Sequence, residues 1–165
     1  MNKYAFNRYL NEIIAKDEPA LNLILAQRTE KLFFRKNQIM YAKGKIPGQL
    51  LYLEKGNAIA LLNAKPNRQV LRFWIADQLI CPDGFFNNLP SAQSIIALDD
   101  CIVNSLSYDQ LLKFLTDFPE GYKIINAIVT HEINLVESLL KNLVQNRSIQ
   151  QHEAFLEALA ISFEE

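Results

Sequence analysis

The sequence predicts an α+β protein in which an antiparallel, jelly-roll-like β-roll lies between short N-terminal helices and one long C-terminal helix. Short β-rich runs, separated by Lys-Asn, Lys-Gly and Pro-Gly breaks, follow one another from Arg28 to about residue 106. Apolar residues at helical spacing precede these runs and return after them. Because the runs are short and closely spaced, they favour antiparallel pairing over βαβ units.

Two helices are predicted ahead of the roll. Residues 3–15 carry aromatic and aliphatic side chains at the spacing of one amphipathic helix. A second, short helix is predicted over residues 20–26, with Pro19 in its first turn, where a missing N–H group leaves no hydrogen bond unmade. The strands are predicted near residues 30–34, 38–42, 49–54, 57–63, 68–75, 92–98 and 101–106.

Two further helices are predicted after the roll, one over residues 108–115 and a long one over residues 119–146. An apolar line along the long helix, interrupted by one glutamate, predicts the seam of a parallel homodimer. The residues of this line are Tyr122, Ile125, Val129, Glu132, Val136, Leu139 and Leu143. The chain is therefore divided into one domain over residues 1–146, which includes the dimer helix, and a helical stub over residues 147–165.

The bulk composition bounds the class of protein. A chain of 165 residues with 50% hydrophobic content can bury one good core. Its net charge of −1 and scattered basic residues do not form the basic stripe of a DNA-reading domain. Two isolated cysteines, no signal-peptide pattern and no apolar run long enough to span a bilayer predict a cytoplasmic protein without a membrane partner.

The order of elements and the spacing of the turn glycines resemble the effector domain of the Crp–Fnr family of bacterial transcription regulators. Gly44 and Gly56 match two early hairpin glycines, where positive φ is needed, and the strand residues Leu51-Tyr52-Leu53 lie between them. Ser107-Tyr108 and Pro119 stand where that family begins its last two helices. The similarity covers residues 20–146. It implies a regulatory β-roll with a dimerisation helix.

In that family a short helix, a glutamate and an arginine hold a cyclic nucleotide, the arginine by pairing with the phosphate. Here Asp83 stands at the glutamate position and Ser91 at the arginine position, and the short helix would carry Phe85. Without the arginine, the resemblance predicts weak or no binding of cyclic AMP in the usual pose. The candidate ligand-binding residues are Asp83, Gly84, Phe85, Ser91, Ala92 and Gln93, with Arg72 and Val136 as wall residues.

Enzymatic chemistry is not predicted. The only histidines in the sequence, His131 and His152, fall on predicted C-terminal helices, so the roll has no cupin-type metal ligands. Cys81 has no histidine on the roll to activate it as a nucleophile. No metal site and no certain cofactor are therefore expected, although a small-molecule effector is compatible with the roll.

The leading hypothesis is a non-enzymatic sensor domain that recognises a small anionic or apolar ligand, or a protein partner, and signals through its dimer helix. A cyclic-nucleotide-binding protein with an atypical pocket is one alternative. A ligand-free dimerisation or interaction module is the other. Members of the resembled family continue into a winged helix-turn-helix. Since the stub has room only for the first helix of such a domain, this chain alone is not expected to read DNA.

Overall fold

The computed structural model describes residues 4–64 and 67–144. Two helical elements precede the roll, and two helices joined by a short turn follow it. The first helix continues into a π-helical turn, and the last begins after a 3₁₀ turn. The bounds are α1 Tyr4–Tyr9, the π turn Leu10–Ile14, α2 Pro19–Gln27, α3 Tyr108–Asp117, the 3₁₀ turn Pro119–Gly121 and α4 Tyr122–Val144.

The β-roll consists of two four-stranded antiparallel sheets, in the orders β1-β8-β3-β6 and β2-β7-β4-β5. The strand bounds are β1 Glu30–Phe34, β2 Ile39–Tyr41, β3 Gln49–Lys55, β4 Ala58–Ala64, β5 Asn67–Trp74, β6 Gln78–Ile80, β7 Ser94–Ala97 and β8 Cys101–Ser107. The prediction of an antiparallel β-roll with flanking helices and a long final helix is confirmed. The stub over residues 147–165 lies outside the described residues and stays a prediction.

Three local features differ from the sequence prediction. Strand β6 was not predicted, because three residues carry too little pattern to be seen; it pairs with β3, with Leu51 opposite Ile80. The first helix over residues 3–15 is not a regular α-helix throughout, since it loosens into the π turn. The predicted strand over residues 92–98 is shorter, because the chain before Ser94 forms a bend that hydrogen bonds to itself.

The alternating side chains of β3 divide the buried residues into two clusters. Leu50 and Tyr52 face the helices, while Leu51 and Leu53 face into the roll. We call the first cluster the helix-side core; its largest members include Phe6, Tyr9, Tyr52, Phe85 and Phe114. We call the second cluster the roll interior; its members include Leu51, Leu53, Trp74, Ile80 and Val103. The strand thus carries one wall of each cluster.

Helix α4 changes its environment along its length. Ile124 and Ile128 are fully buried in the helix-side core, and Ile125 joins them there at 8% exposure. Beyond Glu132 the helix extends past the core, with Ile133 53% exposed and Leu140 55% exposed. The burial of Ile125 shows that this member of the predicted seam packs within its own domain. No helix among the described residues is long and apolar enough to cross a membrane.

Candidate functional site

The segment between β6 and β7 carries most of the predicted ligand-binding residues, and it consists largely of turns. The short helix expected there is not present, because residues 83–88 form consecutive turns. The Phe85 N–H donates to the Pro82 carbonyl at 3.2 Å, and the Leu89 N–H donates to the Gly84 carbonyl at 3.0 Å. The segment therefore has no regular helix N-terminus to offer an anion.

Gly84 is needed for the shape of this turn. Its φ of +89° lies in the left-handed region, which side-chain-bearing residues rarely adopt. A Cβ atom at this position would also meet the Leu89 carbonyl oxygen. The glycine expected from sequence to lie in a binding segment thus has a clear conformational role, and its contact with a ligand stays a prediction.

The polar groups of the remaining turn residues are paired with each other. Asp83 Oδ2 accepts a hydrogen bond from the Ala92 N–H at 3.1 Å. Ser91 Oγ accepts from the Gln93 N–H at 3.1 Å and lies 3.0 Å from the Gln93 carbonyl, to which it donates. The Ser91 N–H also donates to the carbonyl of Lys45, in the turn between β2 and β3, at 2.9 Å. The structure therefore brings these four residues together and pairs the Ser91 hydroxyl and one Asp83 carboxylate oxygen with backbone groups among them, while their contact with a ligand stays a prediction.

Phe85 belongs to the helix-side core. Its ring is 1% exposed and contacts Phe86 and Tyr108 edge to face, with ring centroids 5.1 and 5.6 Å away. Such contacts add to the free energy gained by burying the ring. This side chain fastens the turn to α3 and lies on the opposite side of the sheet from the roll interior.

The two predicted wall residues lie at the junction of the roll with α4. Arg72, on β5, forms an ion pair with Glu132, on α4: Nη1 donates to Oε2 at 2.7 Å and Nη2 donates to Oε1 at 3.4 Å. Their side chains are only 18% and 14% exposed. Val136 lies one turn further along α4 and is 44% exposed. A charge pair this far from solvent is stable only because the two charges meet with good geometry.

An aromatic ring and a thiol surround this ion pair. The guanidinium carbon of Arg72 lies 4.8 Å from the centroid of the Trp74 ring, a cation–π contact. The indole Nε1 of Trp74 is buried and has no hydrogen-bond partner. Burial raises the pKa of the Cys81 thiol to about 12, with the negative charge of Glu132 adding to the rise. Cys81 is therefore a protonated thiol at neutral pH and not a nucleophile.

The remaining seam residues of α4 divide between buried and exposed positions. Tyr122 is 56% exposed and Leu139 is 44% exposed, whereas Val129 is half-buried. The side chain of Leu143 lies outside the described residues. Glu132, predicted as an interruption of the seam, points to Arg72 within its own chain. The dimer seam itself stays a prediction.

From the sequence, Arg72 is a candidate wall residue and Glu132 a candidate seam residue, and their pairing is not predicted. The signal was weak but present: an arginine two residues from a tryptophan on one strand, and a glutamate within an apolar line of a later helix. Only the folded chain brings positions 60 residues apart into contact. Among the described residues, His, Cys, Asp and Glu side chains form no group of three that could hold a metal ion.

Comparisons with known structures agree with this fold. A cyclic nucleotide-binding domain from Methylobacillus flagellatus superposes with a TM-score of 0.77 at 14% identity, covering 87% of this chain and 83% of that one. The Thermus thermophilus catabolite activator protein gives 0.65 at 12% identity, covering 82% of this chain. This chain spans 63% of that protein. The N-terminal domain of a Streptomyces coelicolor transcriptional regulator gives 0.65 at 16% identity, covering 79% and 94%.

The sequence comparison agrees with the structural one. No curated protein sequence matches the chain. A family profile, described as the cyclic nucleotide-binding domain, matches residues 31–118, which is more than half of the chain and includes all eight strands except the first residue of β1. Domains of this family are regulatory in related proteins. The chain belongs to the cyclic nucleotide-binding domain family.

Proposed function

We propose that this chain is a non-enzymatic sensor domain of the Crp–Fnr type, whose output is the position of α4. One observation carries the proposal: α4 is built into the domain at its start and extends beyond it at its end. Ile124 and Ile128 are fully buried, whereas Leu139 and Leu140 are 44% and 55% exposed on a helix that continues past the core. A rigid helix anchored at one end transmits a displacement of its anchor to whatever binds the other end.

A second copy of the chain is the partner that best suits the distal half of α4. Exposed aliphatic side chains occur there at helical spacing, at Ile133, Val136, Leu139 and Leu140. A protein partner of different sequence would use the same surface.

Light scattering tests the dimer. The wild-type chain is expected to have the mass of a homodimer, and Leu139→Asp the mass of a monomer, because a carboxylate would be buried without a partner in the seam. Ser138→Asp, at an exposed neighbouring position, is the control and should leave the dimer intact. A monomeric wild-type chain would exclude a dimer seam.

The chain is not expected to bind cyclic AMP in the pose implied by the family resemblance. Ser91 replaces the phosphate-pairing arginine, and its hydroxyl is used by Gln93. Isothermal titration with cyclic AMP and cyclic GMP tests this expectation, since micromolar affinity that persists in Arg72→Gln would contradict it. A thermal-shift screen of metabolites then identifies the ligand class, because a ligand that binds the folded state raises the melting temperature.

A ligand-free dimerisation module is the second candidate, and the packing of Phe85 favours it. A ring that is 1% exposed, together with a turn whose polar atoms are paired internally, describes a segment complete without a ligand. This function would be supported by a stable dimer that shows no thermal shift with any metabolite. A specific shift would exclude it.

A further inference from the structure

The ion pair between Arg72 and Glu132 is similar to the contact that an arginine makes with an anionic ligand, except that both partners belong to the same chain. Two N–H groups of one guanidinium donate to the two oxygens of one carboxylate, at 2.7 and 3.4 Å. Arginine recognises the oxygens of a phosphate or of a ligand carboxylate in the same two-point manner. Glu132 therefore occupies, relative to Arg72, the position that an external oxyanion would take.

The tryptophan beneath the ion pair supplies a second observation that points to a ligand. Trp74 is 2% exposed, yet its indole Nε1 has no hydrogen-bond acceptor. Buried donors are nearly always paired in folded proteins, so one that is not requires an explanation. Arg72 and Trp74 are two residues apart on β5 and project from the same face of the strand. A ligand oxygen in contact with Arg72 would therefore be close to the unpaired indole donor.

Glu132 is also placed where α4 leaves the core. Ile128, one turn earlier, is fully buried, while Ile133, the next residue, is 53% exposed. Loss of the ion pair would leave the first half of α4 held by the helix-side core. The second half, whose described side chains over residues 133–142 are exposed, would lose the ion pair that ties its start to β5. The ion pair is therefore suited to couple ligand binding at Arg72 to the exposed second half of α4, the half proposed to bind a partner.

We propose that Glu132 acts as an internal anion, and that a small organic oxyanion displaces it from Arg72. The ligand, a phosphate ester or a carboxylate, would bind at the junction of the roll with α4 and accept hydrogen bonds from the two guanidinium N–H groups. Glu132 and the distal half of α4 would then be released. The exchange leaves Arg72 with a counter-charge throughout, and the displaced Glu132 would turn outward into water, where its charge is rehydrated. This inference rests on the proposed sensor function and names the class of its ligand. We call the Arg72–Glu132 ion pair, which the ligand would break, the latch.

Isothermal titration of the full chain tests the displacement. The oxyanion probes are cyclic AMP, which carries a phosphate diester, and succinate, which carries carboxylates; adenosine is the neutral counterpart of cyclic AMP. Glu132→Gln removes the competing charge and keeps a similar shape, so it is expected to bind one of the oxyanions about tenfold more tightly than wild type. Arg72→Gln is expected to lose that binding. Neither substitution should change the affinity for adenosine more than about twofold.

A matched control separates displacement from a general change in charge. Glu137→Gln makes the same substitution one turn further along α4, at an exposed position, and is expected to bind both oxyanions as wild type does. A gain for cyclic AMP assigns the site to phosphate esters, and a gain for succinate alone assigns it to carboxylates. No gain for either, or an equal gain in Glu137→Gln, would overturn the inference. Circular dichroism and the melting temperature show whether each variant is folded; if Arg72→Gln is not, Glu132→Gln decides alone.

Amide hydrogen exchange tests the release of α4 and keeps this inference distinct from the sensor function. A saturating oxyanion on Glu132→Gln, or on wild type where it binds, should raise exchange over residues 133–142 and leave Ile124–Ile128 protected. Unchanged exchange over both stretches would contradict the latch. If a neutral metabolite binds wild type and moves α4 while Glu132→Gln gains no oxyanion affinity, the latch is wrong and the sensor function stands.

Discussion

Two parts of the domain that could receive an anion satisfy their polar groups in different ways. In the turn between β6 and β7, Asp83 pairs with the backbone of Ala92, and Ser91 pairs with Gln93. At the junction with α4, Arg72 pairs with Glu132, which is 60 residues away. The first set of hydrogen bonds is local and neutralises backbone donors. The second joins two charges from different elements of the fold.

The difference bears on the proposed displacement of Glu132 by a ligand. Opening the turn would break several hydrogen bonds, and those that involve the side chains of Asp83 and Ser91 join groups of one short segment. In the proposed displacement, a ligand anion would replace Glu132 as the partner of Arg72, and α4 would lose its ion pair with β5. The proposed sensor function therefore depends more on the long-range pair than on the turn to which the family resemblance points.

The largest loss of stability is expected from a substitution in the turn between β6 and β7. Gly84→Ala should lower the free energy of unfolding by about 3 kcal/mol, because alanine is strained at this positive φ and its Cβ meets the Leu89 carbonyl. Urea denaturation measures the change. Gly48→Ala is the matched control, since a Cβ there meets no atom within 4 Å. Equal stability of the two variants would mean that the turn is not the rigid element described above.

A smaller effect is expected at the ion pair. Arg72→Met should destabilise the domain by about 2 kcal/mol, because Glu132 is left largely buried without its partner. The double substitution Arg72→Met with Glu132→Leu should recover most of that loss, since no unpaired charge remains. Arg68→Met, at an exposed position of the same strand, is the control and should change stability little. Additive effects in the double variant would show that the two residues are not coupled in solution.

The smallest effect is expected from the exposed hydrogen bond within the turn. Asp83→Ala should cost about 0.5–1 kcal/mol, because the Ala92 N–H can exchange its carboxylate partner for water. Asn87→Ala, an exposed neighbour in the same turn, serves as the reference in the same urea titration. A loss at Asp83 as large as that at Arg72 would make the turn, and not the ion pair, the main electrostatic element of the site.

The strands that the sequence predicted well are those with long, bounded runs of β-forming residues. β3 and β8 carry seven residues each, and turn glycines such as Gly56 mark where hairpins must form. β6 escaped prediction because its three residues are defined by pairing with Leu51–Leu53 of β3 and not by their own pattern. Local preference is a sum over residues, so short elements depend on their neighbours in space.

In the candidate site, too, local features could be predicted from the sequence, whereas contacts between distant segments could not. Asp83, Ser91, Ala92 and Gln93 were predicted from the family resemblance to line a ligand site. They are close in sequence, and the structure places them in one hydrogen-bonded segment, while their contact with a ligand stays a prediction. The expected short helix carrying Phe85 was wrong, because the turn is shaped by Gly84 and by the docking of Phe85 against Tyr108. Neither the helix-side location of Phe85 nor that of Ile125 can be deduced from apolar spacing, which identifies a face but not what covers it.

By itself the sequence determined the β-roll, the order of its helices and the absence of an arginine at Ser91, because hydrophobic periodicity, turn glycines and residue identity are local properties of the chain. Only the tertiary structure decided that Arg72 meets Glu132, and that Trp74 lies beneath them with an unpaired donor. Those contacts join a strand to a helix far along the chain, and the attraction between such groups depends on distance and burial, which exist only once the roll has closed.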